Sequence, residues 1–170
     1  GILDFRLHSN GILITDEIAE NIVKSGITWM NISLDACTPE TYALTRGGDY
    51  GKAVNSLGKI ISAKLRLNSA LPNLRVSFVK TSMNEHEVEM FESVFGQYFD
   101  VAIQDFRDPN RLMPKSLEPK VWASQDYDQC LKIFKNLSIR ADGTVSACCE
   151  DIEKKINLGN VRETSLYDIY

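Results

Sequence analysis

The chain has 170 residues, 44% hydrophobic and 25% charged, the composition of one globular domain or of one domain with a small added module. A net charge of −4 without a run of Lys or Arg excludes a surface built on phosphate contacts, so neither a nucleic acid nor a membrane is expected as partner. No apolar run approaches the ~20 residues of a membrane span, and four cysteines are too few for a disulfide scaffold, so the chain reads as cytoplasmic, with clustered thiols better suited to a metal.

In chain order, Ile2–His8 reads as a strand and Asp16–Ser25 as a helix started by Thr15, stopped by Gly26 and carrying Ile18, Ile22 and Val23 on its apolar face. Thr28–Asp35 is a second strand, and Thr38-Pro39 a cap followed by proline at the first helical position. Val54, Leu57 and Ile61 give helical spacing to Gly51–Lys64, and Leu74–Lys80 is a third strand. Asn84 and Glu87 have the spacing of a capping box, opening a helix that buries Val88, Phe91 and Phe95 and ends at Gly96. Asp100–Phe106 is the fourth strand. The alternation of strand and helix predicts an α/β fold with a parallel sheet.

A parallel strand covered by helices on both faces is almost continuously apolar. Here Leu3, Phe5 and Leu7 alternate with Asp4, Arg6 and His8, and Met30, Ile32 and Leu34 alternate with Asn31, Ser33 and Asp35; Ser77 and Gln104 continue the pattern. One face therefore packs on helices, and the other lines a wet cavity, as in a curved sheet or partial barrel holding a ligand. For the first strand, an exposed sheet edge explains the alternation nearly as well. Four strands cannot close a barrel, and Pro109, Pro114 and Pro119 punctuate a polar linker over 109–128, with Arg107, Asp108 and Arg111 as a solvated charge cluster.

Beyond the linker, Leu137–Ala141 and Thr144–Cys148 flank Asp142-Gly143, a hairpin signal. A three-residue loop ending in left-handed Gly143 sets Ile139 opposite Val145 and Leu137 opposite Ala147, making one face apolar. That register turns Cys148 to the polar face beside Ser138 and Ser146, turns Cys149 to the apolar face, and leaves Cys130 and Cys148 as the reasonable ligand pair. Four thiolates are the usual set for an iron–sulfur cluster or a structural zinc, and the hairpin region supplies two or three. Ser165–Asp168 resembles a helix start, so the chain reads as a fragment at both ends.

These residues resemble the radical S-adenosylmethionine enzymes that carry a C-terminal SPASM or twitch auxiliary-cluster domain. "HSNG" (His8–Gly11) is similar to the family's T-N-G turn after the third barrel strand, and "ISLDACTPETYALTRGG" (Ile32–Gly48) to its fourth strand, I-S-x-D with a downstream arginine. Cys130, twelve residues, Gly143, four residues and Cys148 fit the opening of the auxiliary-cluster motif, and Ile156–Tyr170 the segment that follows it. The family's C-x3-C-x2-C loop and its later cluster cysteines are absent from this sequence.

The resemblance implies the C-terminal part of a partial (β/α)6 TIM-like barrel over residues 1–108, a linker over 109–128, and a truncated SPASM/twitch-like module with a cysteine-bearing β-hairpin over 129–170. It implies a parent enzyme that cleaves S-adenosylmethionine at a reduced 4Fe–4S cluster and abstracts a hydrogen from a peptide or small-molecule substrate, with an electron donor as partner, whereas this chain alone would hold no intact cluster and lack activity. It assigns Asn10, Ser33, Asp35 and Arg46 to cofactor binding, with Arg46 forking onto the cofactor carboxylate, and Cys130 and Cys148 to metal binding. Cys37 reads as a small buried hydrophobe, and His8 and His86 have no catalytic partner at telling spacing. The alternative is a non-enzymatic α/β binding or assembly module with a zinc-stapled hairpin.

Overall fold

The computed structural model describes residues 4–106, 114–117, 136–153 and 155–169. The chain divides into two compact units, Gly1–Ala123 and Ser124–Tyr170. Cys130, the cluster Arg107, Asp108 and Arg111, and most of the 109–128 linker lie outside the described residues.

The first unit runs β1 (Arg6–Ser9), α1 (Asp16–Lys24), β2 (Trp29–Ser33), α2 (Pro39–Arg46), α3 (Tyr50–Arg66), β3 (Asn73–Lys80), a 3-10 turn (Glu85–Glu87), α4 (Val88–Phe95) and β4 (Asp100–Asp105). The strands form one parallel sheet in the order β1-β2-β3-β4. Thr15 caps α1, Thr38 caps α2 ahead of Pro39, and Asp49 caps α3, each side-chain oxygen accepting an amide of the first turn. Gly11 has φ +78 and a Cβ there would collide with Ser56 Oγ, so only glycine lets the turn after β1 sit on α3.

One face of the sheet is the core. Met30, Ile32, Val76 and Phe78 are buried against Ile22, Val23, Leu57, Ile60, Phe91 and Phe95. Phe78 and Phe91 meet edge-on at 4.9 Å, and burying each such side chain contributes about 1.5–3 kcal/mol. The other face carries Arg6, His8, Asn31, Ser33, Arg75, Ser77 and Gln104 around a cleft.

The predicted capping box does not form. Asn84 makes no side-chain cap, because its carboxamide is fully buried and bonded elsewhere. Its Nδ2 donates to Asp35 O at 2.9 Å and Val79 O at 3.0 Å, and its Oδ1 accepts from Thr81 N and Oγ1. Glu87 is likewise diverted: 3% exposed, it accepts from Cys37 N at 2.5 Å, Thr38 Oγ1 at 2.6 Å and Thr41 Oγ1 at 2.7 Å. The segment between β3 and α4 therefore clamps the end of β2 and the start of α2.

The second unit contains β5 (Ser138–Ile139), β6 (Thr144–Ser146), β7 (Asn157–Asn160) and the short helix α5 (Leu166–Ile169). It is a three-stranded antiparallel sheet in the order β5-β6-β7, one strand more than the hairpin read from the sequence. Ile139 pairs with Val145 around a loop closed by Gly143 at φ +87, as the bulged register requires. The pairing stops at Ser138–Ser146, however, and the expected Leu137–Ala147 pair does not form. A register shift against β7 between Val145 and Ser146 breaks the alternation, so both residues are fully buried while Ile139 is 51% exposed. The predicted uniform apolar face is therefore not present.

Glu87→Ala leaves the Cys37 amide and two threonine hydroxyls without their acceptor and is expected to lower unfolding free energy by about 1–3 kcal/mol in urea titration. Burial raises the Glu87 carboxyl, but the Cys37 amide and the Thr38 and Thr41 hydroxyls outweigh it and hold the group below its ordinary 4.5. A depressed folded value contributes stability that is complete above 4.5 and is lost as pH falls through the folded value. The native chain should accordingly lose more stability than Glu87→Gln between about pH 6 and about pH 3.

Candidate functional site

The cleft on the polar face has a volume of about 210 Å³ and spans all four strands. Register sets its floor in rows. His8, Asn31 and Arg75 are neighbours across β1, β2 and β3, and Ser33 lies beside Ser77 one row nearer the carboxyl ends. The Arg75 guanidinium lies over the Trp29 ring at 5.1 Å and that of Arg6 at 6.0 Å. Arg75 pairs with Asp100, and Arg6 with Asp4.

Three polar side chains share the centre. Asn31 Nδ2 donates to Ser77 Oγ at 2.8 Å and to Ser33 Oγ at 3.4 Å, and Ser77 Oγ donates to Ser33 Oγ at 3.3 Å. Ser33, expected at a cofactor, thus lines the cleft. Asn31 stood out in the sequence only as one more polar position of the strand; its burial, 7% exposed, was not legible there.

Past the end of β2, Asp35 adopts φ +59, a left-handed conformation uncommon without glycine. Its Oδ1 accepts the Val79 amide at 2.8 Å, and its Oδ2 takes Arg46 Nε at 2.7 Å and Nη2 at 2.5 Å. Burial pushes the Asp35 carboxyl above the ordinary carboxylate range, against the lowering by the Val79 amide and by Arg46. Arg46 therefore forks onto Asp35 within the fold. Asn10 is exposed, and its Oδ1 accepts the Ile12 amide at 3.2 Å as part of the turn. At the same end of the sheet, Lys80 pairs with Asp105 at 2.7 Å.

Cys37 is half-buried beside Glu87; burial, with the Glu87 charge second, pushes its thiol up to about 11. That is a thiol held neutral, in keeping with a packing role. His86 is a surface side chain 3.9 Å from Glu87, and His8 an exposed residue of the cleft wall.

In the second unit, Cys148 is half-buried and its Sγ accepts the Glu150 amide at 3.4 Å, while Ser146 Oγ donates to Cys148 O. Cys149 is exposed rather than turned to an apolar face. The reason is that β6 ends at Ser146, and Cys149 and Glu150 form a turn, so strand alternation no longer governs either cysteine. Among the described residues no three His, Cys, Asp or Glu side chains converge on one point. Cys130, the other member of the expected pair with Cys148, lies outside the described residues.

Residues 1–93 match the model of the Radical SAM superfamily, and residues 130–170 that of the SPASM iron–sulfur cluster-binding domain. The GTP 3',8-cyclase of Alkaliphilus oremlandii is 34% identical over 142 residues, covering 81% of this chain and 40% of the relative. A probable GTP 3',8-cyclase of Methanocaldococcus jannaschii is 34% identical over 84 residues, 49% of this chain and 26% of the relative. The chain thus spans well under half the length of these curated relatives. The solved structure of anSMEcpe with bound AdoMet superposes with a TM-score of 0.63 over 96% of this chain and 55% of that one, at 15% identity. The same protein with AdoMet and the Kp18Cys peptide gives 0.61. At such identity the likeness is one of fold.

With a thiol held near 11, Cys37 should carry almost no thiolate at neutral pH. Iodoacetamide at about pH 7.5 is expected to alkylate exposed Cys149 at least about tenfold faster than Cys37, read by peptide mass spectrometry. Comparable rates would show that Cys37 is not held as its surroundings indicate.

Proposed function

The chain belongs to the radical SAM superfamily and carries a SPASM domain, and from that premise we propose that it forms part of an enzyme that uses S-adenosylmethionine to abstract a hydrogen from a peptide or small-molecule substrate. In this reading residues 1–108 are part of the barrel, 109–128 the linker and 129–170 the auxiliary-cluster module. The chain's share of its relatives, 26% and 40%, supports treating it as part of a longer enzyme. The C-x3-C-x2-C loop of the catalytic cluster would belong to the remainder, so this chain alone would hold no complete cluster.

The observation that carries the proposal is the polar edge at the carboxyl ends of parallel strands, where barrel enzymes place their sites. Asp35 uses both carboxylate oxygens within the fold, so its role is to hold the strand end and Arg46. Arg46, fixed on Asp35, presents its remaining nitrogen to a cofactor carboxylate. Ser33 accepts from Asn31 and Ser77 and keeps its own proton for a cofactor or substrate oxygen. Asn10 offers its amide nitrogen from the neighbouring turn. These groups fit the cofactor's carboxylate and hydroxyls. When bound, S-adenosylmethionine with a reduced 4Fe–4S cluster supplies the hydrogen-abstracting chemistry; the chain's own residues orient it and exclude water. Cys148, with an amide already directed at its sulfur, fits one ligand position of an auxiliary cluster, with Cys130 as a second. An electron donor would serve the parent as partner.

In the anaerobically reconstituted parent, Arg46→Ala should weaken S-adenosylmethionine binding by about 1.5–3 kcal/mol, while Arg46→Lys, a point charge that cannot fork, recovers only part. Unchanged binding by calorimetry would sink the cofactor role of Arg46. Iron and sulfide assay offers a separate check on the module. Cys148→Ala should remove more auxiliary iron than Cys149→Ala, and the opposite order would exclude Cys148 as the ligand.

A further inference from the structure

A second hollow opens at the opposite edge of the same sheet, where the strands begin. Its volume is about 440 Å³, larger than the polar cleft and within the ~300–1,000 Å³ of small-molecule pockets. Trp29, Asn73 and Asp100, the first residues of β2, β3 and β4, line it. So do Ile61 and Lys64 of α3, and Tyr98 and Phe99 from the turn before β4. Its apolar walls are left open: Tyr98 is 77% exposed and Ile61 38%, although side chains of this kind stabilise a fold by burial. The Tyr98 and Phe99 rings lie 6.5 Å apart, and an aromatic guest gains ring contacts beyond the area it buries.

One cation of the hollow is uncompensated. Lys64 is half-buried, and its Nζ donates to Pro72 O at 2.7 Å. That bond occupies one of three N–H donors and leaves the charge whole, because a carbonyl has none. Among the described residues Lys64 has no ion-pair partner. Asp100, by contrast, is already held by Arg75 Nε at 2.7 Å and Nη2 at 2.5 Å. Burial disfavours the ammonium and pulls it below its ordinary 10.5. Asn73, which follows Pro72, is exposed, and its carboxamide makes no hydrogen bond among the described residues. Two spare donor groups, one of them charged, thus flank the Pro72–Asn73 peptide. A single free cation suits a monoanion. A phosphate monoester would bring a second charge past Asp100 with no second cation to meet it.

We propose that this hollow is a second binding site of the chain, taking an aromatic carboxylate whose ring lies among Trp29, Ile61 and Tyr98 and whose carboxylate accepts from Lys64 and Asn73. The site lies at the starts of the strands, whereas Ser33 and Arg46 belong to their carboxyl ends. It rests on neither S-adenosylmethionine nor the radical enzyme reading.

The test is calorimetric titration of the chain with 2-naphthoate, with 2-naphthamide, which has the same rings without the charge, and with acetate, which has the charge without the rings. Naphthoate is expected to bind at one site per chain, about tenfold or more tighter than either of the others. Lys64→Met should remove most of the preference for naphthoate over naphthamide, a split that a merely structural loss would not produce. Tyr98→Ser, at an exposed position, should weaken naphthoate about threefold or more. No saturable naphthoate binding would overturn the proposal, as would equal affinity for naphthoate and naphthamide, or binding indifferent to Lys64→Met or to Tyr98→Ser. A loss on Arg6→Gln equal to that on Lys64→Met would put the probe in the polar cleft and overturn it as well. Should Lys64→Met fail to fold, Tyr98→Ser and the naphthamide comparison still decide. None of these readouts involves S-adenosylmethionine, so failure here leaves the Arg46 test standing.

Discussion

Everything at the carboxyl edge of the sheet depends on Asp35 being held in a conformation it would not choose. A left-handed aspartate costs of order 1–3 kcal/mol, and here it is retained by three separate segments. The Val79 amide and the Arg46 guanidinium hold its carboxylate, and the Asn84 carboxamide holds its carbonyl. Because Asn84 also bonds Val79 O, the ends of β2 and β3 are tied at a fixed separation. Glu87 then ties the start of α2, and α2 ends in Arg46, which returns to Asp35. The loop of constraint is closed, so the arginine is fixed before any ligand arrives. Preorganisation of this kind spares the ordering entropy that binding otherwise costs.

The polar face of the sheet is the second consequence. A parallel sheet stabilises best when both faces are apolar, and this one places asparagine, serines and arginines on one side. The core on the opposite face, with Phe78, Phe91 and Tyr42 fully buried, makes that arrangement tolerable. Buried polar groups of this sort are expensive unless fully paired, and the Asn31–Ser33–Ser77 cluster pairs every member except one oxygen. A chain that accepts such an imbalance at a cleft behaves as functional sites generally do, with local stability given up for recognition.

The cysteine module is built differently. Its sheet is small, and among the described residues Ile139, Ile156 and Leu158 are exposed. Its order comes from turn chemistry: Asp142 Oδ1 accepts the Thr144 amide, and Asp151 accepts the amides of Lys155 and Ile156.

Local signals in the sequence determined much of this. Caps at Thr15 and Thr38, the helices and the Asp142-Gly143 turn depend on residues a few positions apart and formed as read, although Ile18 and Ile61, placed on apolar helix faces, are exposed and β1 begins at Arg6 rather than Ile2. The ordered motifs around Asn10, Ser33, Arg46, Cys130 and Cys148 were equally legible, because a motif is a local string. Contacts across the chain were not. Asn84 and Glu87 have the spacing of a capping box, yet their partners lie near fifty residues away, at Asp35, Cys37, Thr38 and Thr41. The bulge that breaks the alternation of β6 depends on β7, a strand whose Gly159 and flanking asparagines carry no strand propensity of their own. Arg46 was readable as a candidate site arginine, but only the fold decides that Asp35 is the carboxylate it meets, since that pairing is set by how β2, β3 and the turn after β3 come together.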